Sequence, residues 1–143
     1  MTGVHQESFS VSTRGREKPF YDLTDKVAEI VARSKIATGT CTVFVQHTSA
    51  SLVIQENADP RVLVDLQKWM SDRVPEGPFY VHDDEGPDDM PGHIKSAITK
   101  TSEVVPVTGG KLALGTWQAI YLWEHRHAAH RRNIVVTVMG APR

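Results

Sequence analysis

The stretch Trp117-Gln118-Ala119-Ile120-Tyr121-Leu122-Trp123-Glu124 restricts the fold more than any other. Strand alternation puts Trp117, Ala119, Tyr121 and Trp123 on one face and Gln118, Ile120, Leu122 and Glu124 on the other. Both faces are largely apolar, so the strand must be covered on each side, either as a central strand or by a second subunit. It sits in a final third that reads as strand throughout, with further segments at 103–107, 111–114 and 133–139 and a tight turn at Gly109-Gly110.

The earlier chain mixes helices with strands. Residues 8–12 alternate as a strand, and Arg14-Gly15-Arg16-Glu17-Lys18-Pro19 reads as a turn. From a cap at Asp22, Leu23, Val27, Ile30 and Val31 form a helical stripe that fades over residues 34–39. A β-branched run at 40–47 predicts a buried strand, Thr48-Ser49-Ala50 breaks it, and residues 51–54 extend again. Asp59-Pro60 predicts a capped second helix with Val62, Leu63, Leu66, Trp69 and Met70 on its inner face. A third helix is expected after Pro91, with Asp88 or Asp89 as cap and Ile94, Ala97 and Ile98 buried. No regular strand-helix-strand rhythm is present. The expectation is an α+β fold with a mixed, largely antiparallel sheet and about three helices, in one domain spanning residues 1–143.

Charge narrows the functions open to such a domain. A net charge of −1 over 143 residues supplies no field for nucleic acid or an anionic membrane. No apolar run approaches a membrane span and the start has no apolar signal core, so a cytoplasmic location is expected. The single cysteine, Cys41, lies in an apolar run and reads as a buried small side chain.

Chemistry concentrates in residues 80–95. Asp83, Asp84, Glu85, Asp88 and Asp89 are crowded around Gly86-Pro87, with His82 and His93 on either side. An ordered cluster of this kind needs cations, hydrogen-bond donors or a metal to offset its repulsion. His93 falls in the first turn of the expected helix, where free N–H groups favour an anion. The alternative is a solvated acidic loop with a capping aspartate.

Other polar groups gather at element ends. His47 and Ser49 follow a strand, Asn57 and Asp59 precede a helix, and His125-Arg126 close the strand 117–124. His127, His130, Arg131 and Arg132 read instead as a solvated hairpin tip. The acidic loop and the basic strand end are expected to face one another across a cleft, within one chain or between chains. His47, His82, His93 and His125 make a set large enough for a three-ligand metal with a carboxylate beside it, although their spacing matches no zinc ribbon or His-Glu-x-x-His helix. Gly-rich nucleotide loops, Gly-x-Ser-x-Gly elbows and Cys-His pairings are absent, which argues against the commonest kinase, dehydrogenase and hydrolase routes.

Several strings together resemble the YjbQ family, also called secondary thiamine-phosphate synthases. They are Gln46-His47-Thr48-Ser49-Ala50-Ser51-Leu52, Glu56-Asn57-Ala58-Asp59-Pro60, His82-Asp83 with Glu85-Gly86, Asp88-Asp89-Met90-Pro91, His93-Ile94-Lys95-Ser96, Gly115-Thr116-Trp117-Gln118 and Glu124-His125-Arg126. Gln55 and Ala97 depart from the family pattern, and Ala97 removes a hydroxyl near the site. The resemblance implies a homotrimer with sites near subunit boundaries. It also implies an activity that joins a hydroxymethylpyrimidine diphosphate to a thiazole phosphate and releases pyrophosphate. On that basis His47, His93 and His125 are expected to hold a divalent metal, zinc or magnesium, or the diphosphate itself. His82 and Asp89 would act as acid/base partners and Arg126 would meet the departing charge. Ser49, Asn57, Lys95 and Gln118 would bind the phosphorylated small-molecule substrate. The competing readings are a metal-dependent hydrolase on the same residues and a trimer that binds a phosphorylated metabolite without turnover.

Overall fold

The computed structural model describes residues 2–143. The chain runs through β1 (Gly3–Ser12), β2 (Phe20–Asp22), α1 (Thr24–Ser34), β3 (Ile36–Val45), β4 (Ala50–Glu56), α2 (Pro60–Arg73), α3 (Asp89–Ile98), β5 (Ser102–Thr108), β6 (Lys111–Leu112), β7 (Gln118–Glu124) and β8 (Arg131–Pro142). The fold is α+β, and all of its strand pairs are antiparallel: a five-stranded sheet ordered β1-β8-β3-β5-β6 and a three-stranded sheet ordered β2-β7-β4. Among the described residues no helix is long and apolar enough to cross a membrane.

The doubly apolar strand becomes the centre of the smaller sheet. Ile120 and Leu122 enter the main core with Val43, Val136 and Val138 of the larger sheet, while Ala119, Tyr121 and Trp123 form a second core with Phe20, Met70 and Val74 beneath α2. One sheet and one helix therefore cover its two faces without a second subunit. Complete burial of Ile120 and Leu122 is worth roughly 1.5–3 kcal/mol each. Trp117 lies just outside β7 and is 63% exposed, because the strand begins only at Gln118.

Local signals account for the helices. Asp59 accepts a hydrogen bond from the Arg61 N–H, and Pro60 opens α2. Asp22 accepts from the Thr24 N–H ahead of α1, and Lys35 in the left-handed conformation ends that helix directly into β3, earlier than the β-branched run alone predicts. In α2 the inner face is Leu63, Leu66 and Met70, whereas Trp69 turns outward, with the Arg73 guanidinium over its ring.

Two sequence expectations are corrected here. α3 begins at Asp89 and buries Pro91, Gly92, Lys95 and Ser96, leaving Ala97 and Ile98 exposed, because it packs against the start of β4, where Ser96 donates to the Ala50 carbonyl, and against Arg126 just beyond β7. Gly92 permits that approach: a Cβ there would come within 3.2 Å of the Arg126 side chain and 3.4 Å of Ser49. Arg132 does not belong to a solvated tip either. It shares the inward face of β8 with Ile134, Val136 and Val138, and it pairs with the fully buried Glu124.

Candidate functional site

The basic end of β7 and the acidic loop meet within one chain. Arg126 reaches three ways: Nε donates to Asp88 at 3.0 Å, Nη1 to Asp89 at 2.9 Å, and Nη2 to the Glu85 carbonyl at 3.0 Å. The next N–H, of His127, also donates to Asp88 at 2.8 Å. Burial alone would raise the Asp88 carboxyl, but Arg126 and this N–H outweigh it and hold it at about 2. Asp88 therefore stands at the head of α3 as the loop's anchor, and its side chain makes no cap bond. Arg126, with its donors engaged by protein acceptors, orients carboxylates.

Asp89 is held with one oxygen on Arg126 and the other, Oδ2, buried without a hydrogen-bond donor. His82 Nε2 lies 3.0 Å from that oxygen and His93 Nε2 lies 3.3 Å from it, yet neither is aligned to donate. Asp89 and His93 are four residues apart on α3 and share a face, while His82 arrives from the loop, its ring centroid 5.8 Å from that of His93. The three atoms lie within 4.8 Å of one another, so two nitrogens and one oxygen converge on a common point. A buried orphan acceptor with two imidazoles aimed beside it fits a cation better than it fits a closed hydrogen-bond network. The same His82 Nε2 also hydrogen-bonds Glu85 at 2.7 Å, a contact that a cation on this nitrogen would displace, and Nδ1 lies 3.7 Å from Asp84; the hydrogen bond to Glu85 first, and then these carboxylates together with Asp89, raise its basicity.

The expected metal trio of His47, His93 and His125 is not assembled; among the described residues His93 is grouped with His82 and Asp89. The Asn133 N–H donates to His47 Nε2 at 2.9 Å, so the side chain extends the β3–β8 ladder by one bond. A neutral ring that accepts at Nε2 carries its proton on Nδ1, which leaves neither nitrogen open to a metal. His125 turns inward, 4% exposed, with Nε2 at 2.8 Å from Ser51 Oγ and its ring 5.2 Å from that of Trp123. Burial, reinforced by nearby Lys95, depresses His125 to about 3 and keeps it neutral.

The residues expected to bind substrate are dispersed. Ser49 Oγ accepts from buried Arg132 at 3.0 Å and serves the Glu124–Arg132 network, in which Glu124 also accepts from Thr13. Lys95 is buried two positions beyond His93, hence on another face of α3, and burial lowers its basicity. Asn57 and Gln118 lie at the opposite end of the smaller sheet from Glu124 and His125, about 20 Å away along seven-residue strands. Gln118 there accepts from the Gly115 N–H. The anchoring role of Asp88 escaped the sequence reading; its signal was an aspartate paired with Asp89 opposite a strand-end arginine.

Comparison with known proteins places the chain. The family model described as UPF0047 protein YjbQ-like matches residues 7–141. A UPF0047 protein of Synechocystis sp. is 53% identical over 95% of this chain and 92% of its own length. The UPF0047 protein YjbQ of Escherichia coli O157:H7 is 40% identical over 95% and 98%. Among solved structures, a YbjQ-like protein of unknown function from Sulfolobus solfataricus P2 superposes with a TM-score of 0.89 at 28% identity, covering 98% of this chain and 99% of that one. A YjbQ/UPF0047 family protein from Clostridium acetobutylicum gives 0.84 at 33% identity, covering 92% and 98%. The chain belongs to the YjbQ-like UPF0047 family.

Proposed function

We propose that this member of the YjbQ family is a cytoplasmic enzyme acting on a small phosphorylated or diphosphorylated substrate, bound through a divalent cation held by His82, Asp89 and His93. The observation that carries the reading is the buried, unpartnered Oδ2 of Asp89 between two imidazole nitrogens. A mixed nitrogen and oxygen donor set favours a zinc-type ion over magnesium, which prefers oxygen ligands throughout. Such an ion neutralises charge that builds on a departing phosphate or diphosphate.

The chain's own residues then have separate tasks. Arg126 fixes Asp89 and, through Asp88 and the Glu85 carbonyl, holds the loop that delivers His82. The charge-stabilising role expected for Arg126 thus becomes a positioning role. The specific case is transfer of a hydroxymethylpyrimidine group from its diphosphate to thiazole phosphate, giving thiamine phosphate and pyrophosphate. A metal-dependent hydrolase is the second reading, favoured by the two-imidazole, one-carboxylate set, and differs in taking water as the acceptor. Assembly as a homotrimer is part of the proposal. Its support is the outer face of the five-stranded sheet, where Val4, Phe44, Val104 and Met139 project into solvent.

The test is pyrophosphate release from the two phosphorylated precursors, with and without added zinc or manganese, in the parent protein and in His93→Ala. Cation-dependent release that is lost in the variant supports the synthase. Release of phosphate or pyrophosphate without an organic acceptor supports the hydrolase. Turnover that is indifferent to both the cation and His93 sinks the site.

A further inference from the structure

His93 belongs to two places at once. Besides facing Asp89, it lines a cleft of about 270 Å³ together with His47, Thr48, Ser96, Ala97 and Thr101. The cleft lies at the lower edge of small-ligand sites, which run upward from roughly 300 Å³. Its lining contains no lysine or arginine, so nothing there would neutralise a phosphate. The polar groups that it offers are hydroxyls and imidazoles, and Ser96 already donates its hydroxyl proton to the Ala50 carbonyl.

His47 gives the cleft a direction. Because Nε2 accepts from the Asn133 N–H, a proton on that nitrogen would set two donors against each other. The ring is thus fixed as the neutral Nδ1–H form, and Nδ1–H has no acceptor among the described residues. Such a group is a fixed donor, suited to an acceptor atom on a ligand and unsuited to a cation.

We propose that this cleft binds the uncharged, acceptor-bearing end of the substrate, recognised by the Nδ1–H of His47, while the phosphorylated end lies at the cation site across His93. The assignment of the two ends rests on the proposed function; the donor role of His47 stands without it. His47 is therefore a specificity-determining residue of this site.

Protein labelled with ¹⁵N at histidine, observed at pH 7, tests the assignment with simple probes. His47 should show a protonated Nδ1 and an unprotonated Nε2. Pyridine, which carries a ring-nitrogen acceptor, should shift the His47 Nδ1–H signal and bind roughly fivefold more tightly than toluene, the value of one ordinary hydrogen bond. His47→Phe should lose that preference, whereas His47→Asn, which keeps a donor at the Nδ1 position, should retain part of it; melting curves establish that both are folded. Binding of manganese with inorganic pyrophosphate to the parent protein, and its loss in His93→Ala, reads the cation site separately. A protonated Nε2, or equal affinity for pyridine and toluene in the parent, overturns the proposal. Failure of manganese and pyrophosphate to bind while the pyridine preference holds sinks the cation-site reading and leaves the donor role of His47 supported.

Discussion

Asp88→Asn keeps the shape of the side chain and removes its charge, which makes it the cleanest probe of the clamp that brings the acidic loop to the strand end. Asp88 is 12% exposed and Arg126 18%, so solvent screens the pair only in part. Arg126 and the His127 N–H hold the carboxyl at about 2 against an ordinary 3.8, a difference worth about 2 kcal/mol of folding stability. The carboxyl is depressed in the folded chain, so its contribution is fully present above about pH 4 and falls away as the pH drops toward 2. Urea unfolding of the parent, Asp88→Asn and the exposed control Asp83→Asn reads this directly. Asp88→Asn should lose about 2 kcal/mol at pH 7 and about half of that near pH 3, while the control stays within about 0.5 kcal/mol. The clamp is refuted if the two variants are alike at pH 7, or if the deficit of Asp88→Asn persists undiminished near pH 3.

Three further outcomes follow from other parts of the chain. Arg132→Met strands Glu124, whose carboxylate is fully buried, and should cost about 3–5 kcal/mol in chemical denaturation; a loss below about 1 kcal/mol would show that the pair is dispensable. In metal-free protein, His82 should titrate above its ordinary 6.5 by NMR and move downward in Glu85→Gln, since the hydrogen bond to Glu85 is the largest cause of its raised basicity. Val104→Glu charges the outer sheet face and should convert the proposed trimer to monomers in analytical ultracentrifugation, without altering the monomer's circular dichroism; a parent protein that is itself monomeric, or an assembly unchanged by the substitution, would refute this placement of the subunit contact.

Much of the fold could be read from the sequence, because strand alternation and helical stripes report burial directly. The two apolar faces of β7 correspond to two packed cores, and the cap expected at Asp59 is formed. Arg132 and Glu124 followed the same alternation as Ile134 and Leu122, so their burial was encoded as well, but it was hidden by the habit of assigning charge to solvent. The site was less legible. Sequence order shows that residues 82–93 and 125–126 carry chemistry, and the structure does bring the acidic loop to Arg126. It cannot show which edge of an imidazole is already occupied. His47 is engaged by a backbone N–H and His125 by a serine, both of them long-range contacts. His82 stands beside Asp89 on a loop whose Glu85 carbonyl is held by Arg126, again a long-range contact.

The central claim is that Asp89 Oδ2, His82 Nε2 and His93 Nε2 together hold a cation. The most direct measurement is an anomalous difference map from crystals grown with zinc, collected on both sides of the zinc absorption edge. The account predicts a peak about 2.0–2.2 Å from all three atoms. No peak there, or a peak seated on His47 or His125 instead, would contradict it.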